Sequence, residues 1–244
     1  IASGKGLGSS SGSITIETPD AGKSGVSGTV SVGTGRASAG VSGTVNISTG
    51  ASDDGSTGSI DLVTGMSLGG SGGDINLSVG RGDIGRGGSI NLNAGSSTEE
   101  GGEISILAGN GEKLTGGSIN IASGKGLGSS SGSITIETPN SAIKGVSGNI
   151  AISTGVSKSG ASGAIDITTG DAEGGNGGAI NIAVGLGTKG TGGPVKISAG
   201  TSTTMDGGKV SIDAGFSSVS TGGSINIASG KGLGSSSGSI TIET

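Results

Sequence analysis

Along the whole chain, pairs of aliphatic residues separated by one residue recur at a nearly constant interval. The interval is 15 residues, except for 16 into Val32 and Ile152 and 14 into Ile106. Alternation of apolar and polar residues is the period-2 signature of a strand with one buried face. We call these residues the apolar pairs: Ile14/Ile16, Val30/Val32, Val45/Ile47, Ile60/Leu62, Ile75/Leu77, Ile90/Leu92, Ile104/Ile106, Ile119/Ile121, Ile134/Ile136, Ile150/Ile152, Ile165/Ile167, Ile180/Ile182, Val195/Ile197, Val210/Ile212, Ile225/Ile227 and Ile240/Ile242.

Small residues occupy fixed positions around each pair. A third position, two residues after the pair, holds only Ser, Thr, Ala or Val, as at Thr49, Val79 and Ala94. Gly stands two residues before every pair in a complete repeat, and a second Gly follows the third position except where Pro19 and Pro139 stand. Such glycines indicate positive φ or a close backbone approach. Two residues beyond the second Gly, only Gly, Ser or Ala occurs, which we interpret as the inward position of an opposing wall.

These periodicities predict one all-β fold, a narrow parallel β-solenoid (β-helix) of about 15-residue coils with about 17 turns, flattened and two-sided. Residues 1–244 are expected to form one continuous solenoid. The stretch IASGKGLGSSSGSITIET begins at residues 1, 121 and 227, so the chain is built from duplicated multi-coil blocks. Because it opens and closes inside a repeat, we interpret it as a segment of a longer repeat protein.

Composition and charge exclude several functional classes. The chain has 60 Gly and no His, Cys, Trp or Tyr, and its net charge is −5. Nucleic acids and anionic membranes attract basic surfaces, so neither is an expected partner, and no apolar run predicts a membrane span. Without His, Cys or Tyr, few groups can act as nucleophile or base near neutral pH. We therefore predict no enzyme activity and no catalytic, cofactor or metal site.

The repeat cadence resembles a known group of proteins. Segments such as SGVSGTVSVGTG, STGSIDLVTG and TGGSINIASG are similar to those of the Gly/Ser-rich β-solenoid repeat proteins of diatoms and other stramenopiles, some of which are secreted adhesives. The resemblance covers the whole chain and implies a secreted or cell-surface location and a fibre-forming or adhesive role. It implies no catalytic residues.

The polar position between the two residues of each apolar pair is the best candidate for a functional surface, and we call it the ladder. A row of Asn, Thr and Ser at strand spacing can order water or bind polysaccharide, or it can be an ordinary solvated sheet face. Charged residues within the row, among them Asp61 and Lys196, count against ice binding. The candidate ligand-facing residues are Thr15, Asn46, Asn76, Asn91, Asn120, Thr135, Asn181 and Asn226.

Candidate glycosylation sites lie on the same surface and in the connecting loops. Asn46 and Asn76 stand in Asn-x-Ser sequons, although such triplets also arise by chance in an Asn- and Ser-rich chain. Two Ser runs are candidate O-glycosylation sites, with small polar turn filler as the alternative: Ser129, Ser130 and Ser131, and Ser235, Ser236 and Ser237.

The sequence therefore predicts a rod-like, glycosylated structural component of an extracellular fibre or adhesive matrix. Its expected partners are further copies of itself, associated end to end or laterally, and glycans. The alternative is an ice- or polysaccharide-binding solenoid that uses the ladder.

Overall fold

The predicted all-β solenoid is wrong, because the structure contains neither strands nor helices in the residues it describes. A computed structural model describes residues 1–6, 10–142 and 144–243, and all of them form turns, bends and irregular extended segments. The features expected of a β-helix, stacked coils and a sheet on each wall, are therefore not present in those ranges.

The exposure of the apolar pairs shows that they form no solenoid core within the described residues. The first residue of each pair is 49% to 55% exposed, and the second is 67% to 77% exposed apart from Ile242 near the chain end. No described residue is buried. The chain exposes 24245 Å², whereas a compact globular protein of 22.3 kDa exposes about 9,400 Å².

The composition explains why the apolar pairs do not close into a core within this chain. A coil would have to order about 15 residues, many of them Gly, which loses more conformational freedom on folding than any other residue. Each repeat offers only two large aliphatic side chains in return, and the remaining inward positions carry Gly, Ala, Ser or Thr. The period-2 pattern predicted strands, but it does not by itself supply enough apolar surface to hold successive coils together.

The chain divides into two units, Ile1–Asn120 and Ile121–Thr244. The boundary coincides with the start of the second copy of the duplicated block at Ile121. Within each unit, the regular structure is local: loops of similar length connect one apolar pair to the next, and the two ends of a loop lie close together.

Backbone hydrogen bonds between the two glycines of a repeat close many of these loops. In the first unit, the Gly102 N–H donates to the Gly95 carbonyl at 2.9 Å. In the second unit, the Gly132 N–H donates in the same way to Gly124, also at 2.9 Å. The remaining closures of this kind join Gly12 to Gly4, Gly117 to Gly109, Gly208 to Gly200, Gly223 to Gly215 and Gly238 to Gly230.

The side chain at the third position decides how a loop closes. Every described Gly–Gly closure follows an Ala or a Ser at that position, and none follows a Thr or a Val. A Cβ built on Gly88 would lie 2.6 Å from Val79 Cγ1, so the branched side chain fills the space that separates the two ends. In other repeats the Thr hydroxyl donates to the opposite Gly carbonyl, as from Thr34 to Gly43 at 3.3 Å.

The Gly whose N–H closes the loop therefore acts through close approach rather than through an unusual dihedral angle. A Cβ on Gly102 would lie 3.2 Å from the Gly95 nitrogen and 3.3 Å from the Ala94 Cβ. Positive φ occurs instead at Gly85 and Gly145, which lie inside loops.

The residue two positions after the second Gly of a repeat also shapes the loop, and we call it the turn position. Where it is Ser, its hydroxyl accepts a backbone N–H two or three residues later, from Gly70 to Ser67 at 3.0 Å and from Met205 to Ser202 at 2.9 Å. Such Ser turns replace backbone hydrogen bonds in tight loops. The turn position is thus a loop-shaping residue, and its interpretation as the inward position of an opposing wall is wrong.

Where the turn position is Gly and the third position is Ala or Ser, the loop folds directly over the turn position. A Cβ on Gly82, whose loop follows Val79, would meet its nearest atom only at 3.6 Å. A Cβ on Gly126 would collide with the carbonyl oxygens of Ser129 and Ser130, and a Cβ on Gly232 would meet those of Ser235 and Ser236. The two loops lie in different copies of the duplicated block, so the same local sequence produces the same turn twice.

The rule for loop closure predicts that a branched side chain at the third position removes the Gly–Gly hydrogen bond of that loop. We expect Ala108→Val to remove the Gly117–Gly109 bond, now 2.9 Å, because the added methyl groups occupy the space between the loop ends. The temperature coefficient of the Gly117 amide proton, measured by NMR, should then become more negative and reach the value of a solvent-bonded amide. Ala108→Ser is the matched control. It should leave the Gly117 temperature coefficient unchanged, because the loop that follows Ser123 keeps the equivalent bond from Gly132 to Gly124. Retention of the bond in the Val variant would contradict the rule.

Candidate functional surface

Side chains of the ladder lie on the same side of the chain as their polar neighbours two residues away. The Ser59 hydroxyl donates to Asp61 Oδ2 at 2.9 Å, and the Ser211 hydroxyl donates to Asp213 Oδ2 at 2.7 Å. Such i, i+2 contacts are those of an extended chain, in which alternate side chains point to one side. At these two positions, alternate side chains therefore share one side of the chain, although the described residues form no sheet.

The structure distributes the candidate ladder residues over both units and does not link them to one another. Within the described part of the chain, no side-chain hydrogen bond joins two of them, and all are exposed. The first unit contains Thr15, Asn46, Asn76, Asn91 and Asn120, and the second contains Thr135, Asn181 and Asn226.

The candidate glycosylation residues are also exposed, but they differ in their surroundings. Asn46 and Asn76 lie in the extended segments between loops. The runs Ser129–Ser131 and Ser235–Ser237 lie in the loops of the duplicated block, where backbone carbonyls of each run pack over the Gly at the turn position. The first pair is therefore on the ladder, and the Ser runs belong to the loops.

Charged residues contribute little organisation to this surface. Over residues 1–6, 10–142 and 144–243, one ion pair occurs, between Arg81 Nη2 and Asp83 Oδ1 at 3.4 Å, with side chains 88% and 90% exposed. Ion pairs with this exposure stabilise proteins only slightly. Among the described residues, the charges therefore indicate no candidate catalytic or binding position.

Among the described residues there is no pocket, no group of carboxylates that would hold a metal ion, and no helix long and apolar enough to cross a membrane. Comparison of the chain with protein-family models, with characterised proteins and with solved structures finds no match.

The most regular exposed feature is the row of apolar pairs rather than the ladder. At Ile60 and Leu62 the exposed fractions are 52% and 69%, and the same two levels recur in repeat after repeat. Aliphatic residues in the loops are more exposed still, with Ile84 at 96%. Sequence reasoning identified the pairs but assigned them to a core, because alternation reports which side chains share a face and not whether anything covers that face.

Proposed function

We propose that this chain is a structural component of an extracellular fibre or adhesive matrix, and that it associates with further copies of itself. The observation that carries the proposal is the row of exposed apolar pairs at constant spacing. The resemblance of the repeats to Gly/Ser-rich proteins of diatoms and other stramenopiles supports the same role and a secreted or cell-surface location.

The energetics of the apolar pairs favour association. Burying an Ile, Leu or Val side chain completely contributes about 1.5–3 kcal/mol, and more than half of each pair's surface is still exposed to water. Covering the rest of one side chain is therefore worth roughly 1 kcal/mol, and each unit repeats this contribution many times.

The constant spacing favours a second copy as the partner. A partner that covers one apolar pair can cover the next only if its own complementary groups recur after the same number of residues. Another copy of the chain meets this condition, because its own pairs recur at the same nearly constant interval of 15 residues. The net charge of −5 opposes association only weakly once salt screens it.

The polar loops and the ladder then form the solvated surface of the assembly. Asn46 and Asn76 are exposed, which leaves both sequons accessible to glycosylation, and the Ser runs are accessible for the same reason. Bound glycans would keep the polar side of the chain hydrated while the apolar pairs associate. No contact among the described residues supports polysaccharide or ice binding through the ladder. We therefore treat such binding as an alternative outcome of the assembly experiment.

The full chain should assemble as its concentration rises, and high salt should promote this assembly rather than reverse it. Salt screens the repulsion between negatively charged chains, and sulfate strengthens apolar association. Sedimentation velocity in low salt, in NaCl and in ammonium sulfate measures this directly. A chain that stays monomeric at every concentration and in both salts, yet binds polysaccharide or shows thermal hysteresis, would favour the binding alternative.

A further inference from the structure

Two Asn residues differ from all the others in being followed by Gly: Asn110 and Asn176. Both lie in loops and are exposed. The Asn residues of the ladder are each followed by Ile or Leu, whose side chains hinder the approach of their own backbone nitrogen to the preceding side chain. The chain therefore contains two Asn-Gly steps in which this approach is unhindered by a side chain.

The surroundings of the two glycines are very different. A Cβ built on Gly177 would have no atom within 4 Å. A Cβ on Gly111 would collide with the Leu114 carbonyl oxygen and lie 2.7 Å from that of Thr115, because the loop folds back over this residue. Gly177 thus lies beside open space, whereas Gly111 is enclosed by its own loop.

We propose that Asn176 is a site of spontaneous deamidation, in which the backbone of Gly177 acts as the nucleophile. The Gly177 nitrogen loses its proton and attacks the Asn176 side-chain carbonyl carbon Cγ. The new N–Cγ bond closes a five-membered imide, and the bond from Cγ to Nδ2 breaks as ammonia leaves. Water then opens the imide at either carbonyl, which yields aspartate or isoaspartate. The net change is the exchange of an amide for a carboxylate, with water consumed and ammonia released.

Ring closure requires the Asn side chain and the following backbone nitrogen to rotate towards each other. At Gly177 no atom of the surrounding loop lies within 4 Å of a built Cβ, which leaves space for this rotation. At Gly111 the carbonyls of Leu114 and Thr115 must move first, so the same reaction at Asn110 is slower in the native chain.

The product changes the loop chemically. The loop already contains Asp171 and Glu173, and conversion of Asn176 adds a third carboxylate, ionised above its ordinary pKa of about 4. The isoaspartate product also inserts an extra methylene into the backbone. Deamidation at this position therefore makes the second unit more negative as the protein ages, independently of whether the chain forms fibres.

The experiment follows both sites in one sample. The full-length chain is incubated at neutral and at mildly alkaline pH, and peptides containing residues 110 and 176 are quantified over time by mass spectrometry with an isoaspartate-specific methyltransferase assay. Asn176 should convert roughly tenfold faster than Asn110, because a modest backbone rearrangement around Gly111 raises the barrier to ring closure at Asn110. The rate should rise with pH, because the attacking nitrogen must first lose its proton.

Two controls separate the conformational effect from the dipeptide chemistry. In concentrated urea the loops open, so the rates of the two Asn-Gly steps should converge. Gly177→Ala retains Asn176 but restricts the backbone, and should slow its conversion by at least about twofold. Conversion of Asn110 as fast as Asn176 in native buffer would overturn the proposal, and so would an Asn176 that reacts only in urea.

Discussion

Replacement of apolar-pair residues by Ser is expected to weaken assembly of the chain strongly. A variant with Ser at Ile60, Leu62, Ile75 and Leu77 loses four partly exposed aliphatic side chains from neighbouring repeats of the first unit. If association covers each of them, about 1 kcal/mol is lost per residue. A total of about 4 kcal/mol corresponds to a roughly thousandfold weaker association constant. Sedimentation velocity over a concentration series measures the change.

The loops provide a closely matched control for this variant. Val26, Val41, Leu68 and Ile84 are also aliphatic and lie in the same unit, but they are 92% to 97% exposed and stand outside the apolar pairs. Ser at these four positions reduces the overall hydropathy by a similar amount without interrupting the regular row. Assembly should remain near that of the unmodified chain. Equal weakening by both variants would mean that general hydropathy, rather than the pairs, drives association.

Gly126→Ala is expected to open the loop between Gly124 and Gly132. The new Cβ would collide with the carbonyl oxygens of Ser129 and Ser130 and would lie 2.7 Å from the Ser130 carbonyl carbon. Overpacking of this kind typically costs about 1–3 kcal/mol, whereas the hydrogen bond that closes the loop contributes about 0.5–1.5 kcal/mol. The steric cost therefore exceeds the stabilisation, and the Gly132 N–H should exchange its Gly124 partner for water.

The same substitution two residues earlier tests whether this effect is steric. A Cβ on Gly124 would have no atom within 4 Å, so Gly124→Ala should leave the loop closed while lowering backbone flexibility to the same degree. The amide temperature coefficient and the hydrogen-exchange rate of Gly132 distinguish the two variants. If both variants or neither variant lose the Gly132 bond, crowding at Gly126 does not control the loop.

Much of the local structure could be predicted from the sequence because its causes lie within a few residues. The restriction of the turn position to Gly, Ser or Ala was visible in the sequence, but its interpretation as an inward wall position was wrong. The structure shows a hydroxyl that accepts an N–H at Ser67 and a crowded Cα at Gly126. The Gly two residues before each pair indicated positive φ or a close backbone approach, and Gly102 makes a close approach. Sequence reasoning missed that the third position selects the closure, although the split between Ala/Ser and Thr/Val was visible.

The candidate surface was predictable only in part. Alternation correctly places Asp61 on the same side of the chain as Ser59, two residues away. The ladder was expected to run across stacked coils, and that arrangement depends on contacts between residues at least one repeat apart. No hydrogen bond within the described ranges connects two candidate ladder residues, so the sequence placed these residues on a local face without determining their neighbours.

The sequence by itself determines the interval between the apolar pairs, the positions of the loops and the local rules that close them. Each of these depends on side-chain size and hydrogen bonding over about ten residues or fewer. Only the tertiary structure could decide whether the apolar pairs are covered, and it leaves Ile60 and its equivalents about half exposed. Burial requires distant segments to gain more from contact than they lose in conformational entropy. With two large aliphatic residues per Gly-rich repeat, a periodic pattern alone does not establish that balance.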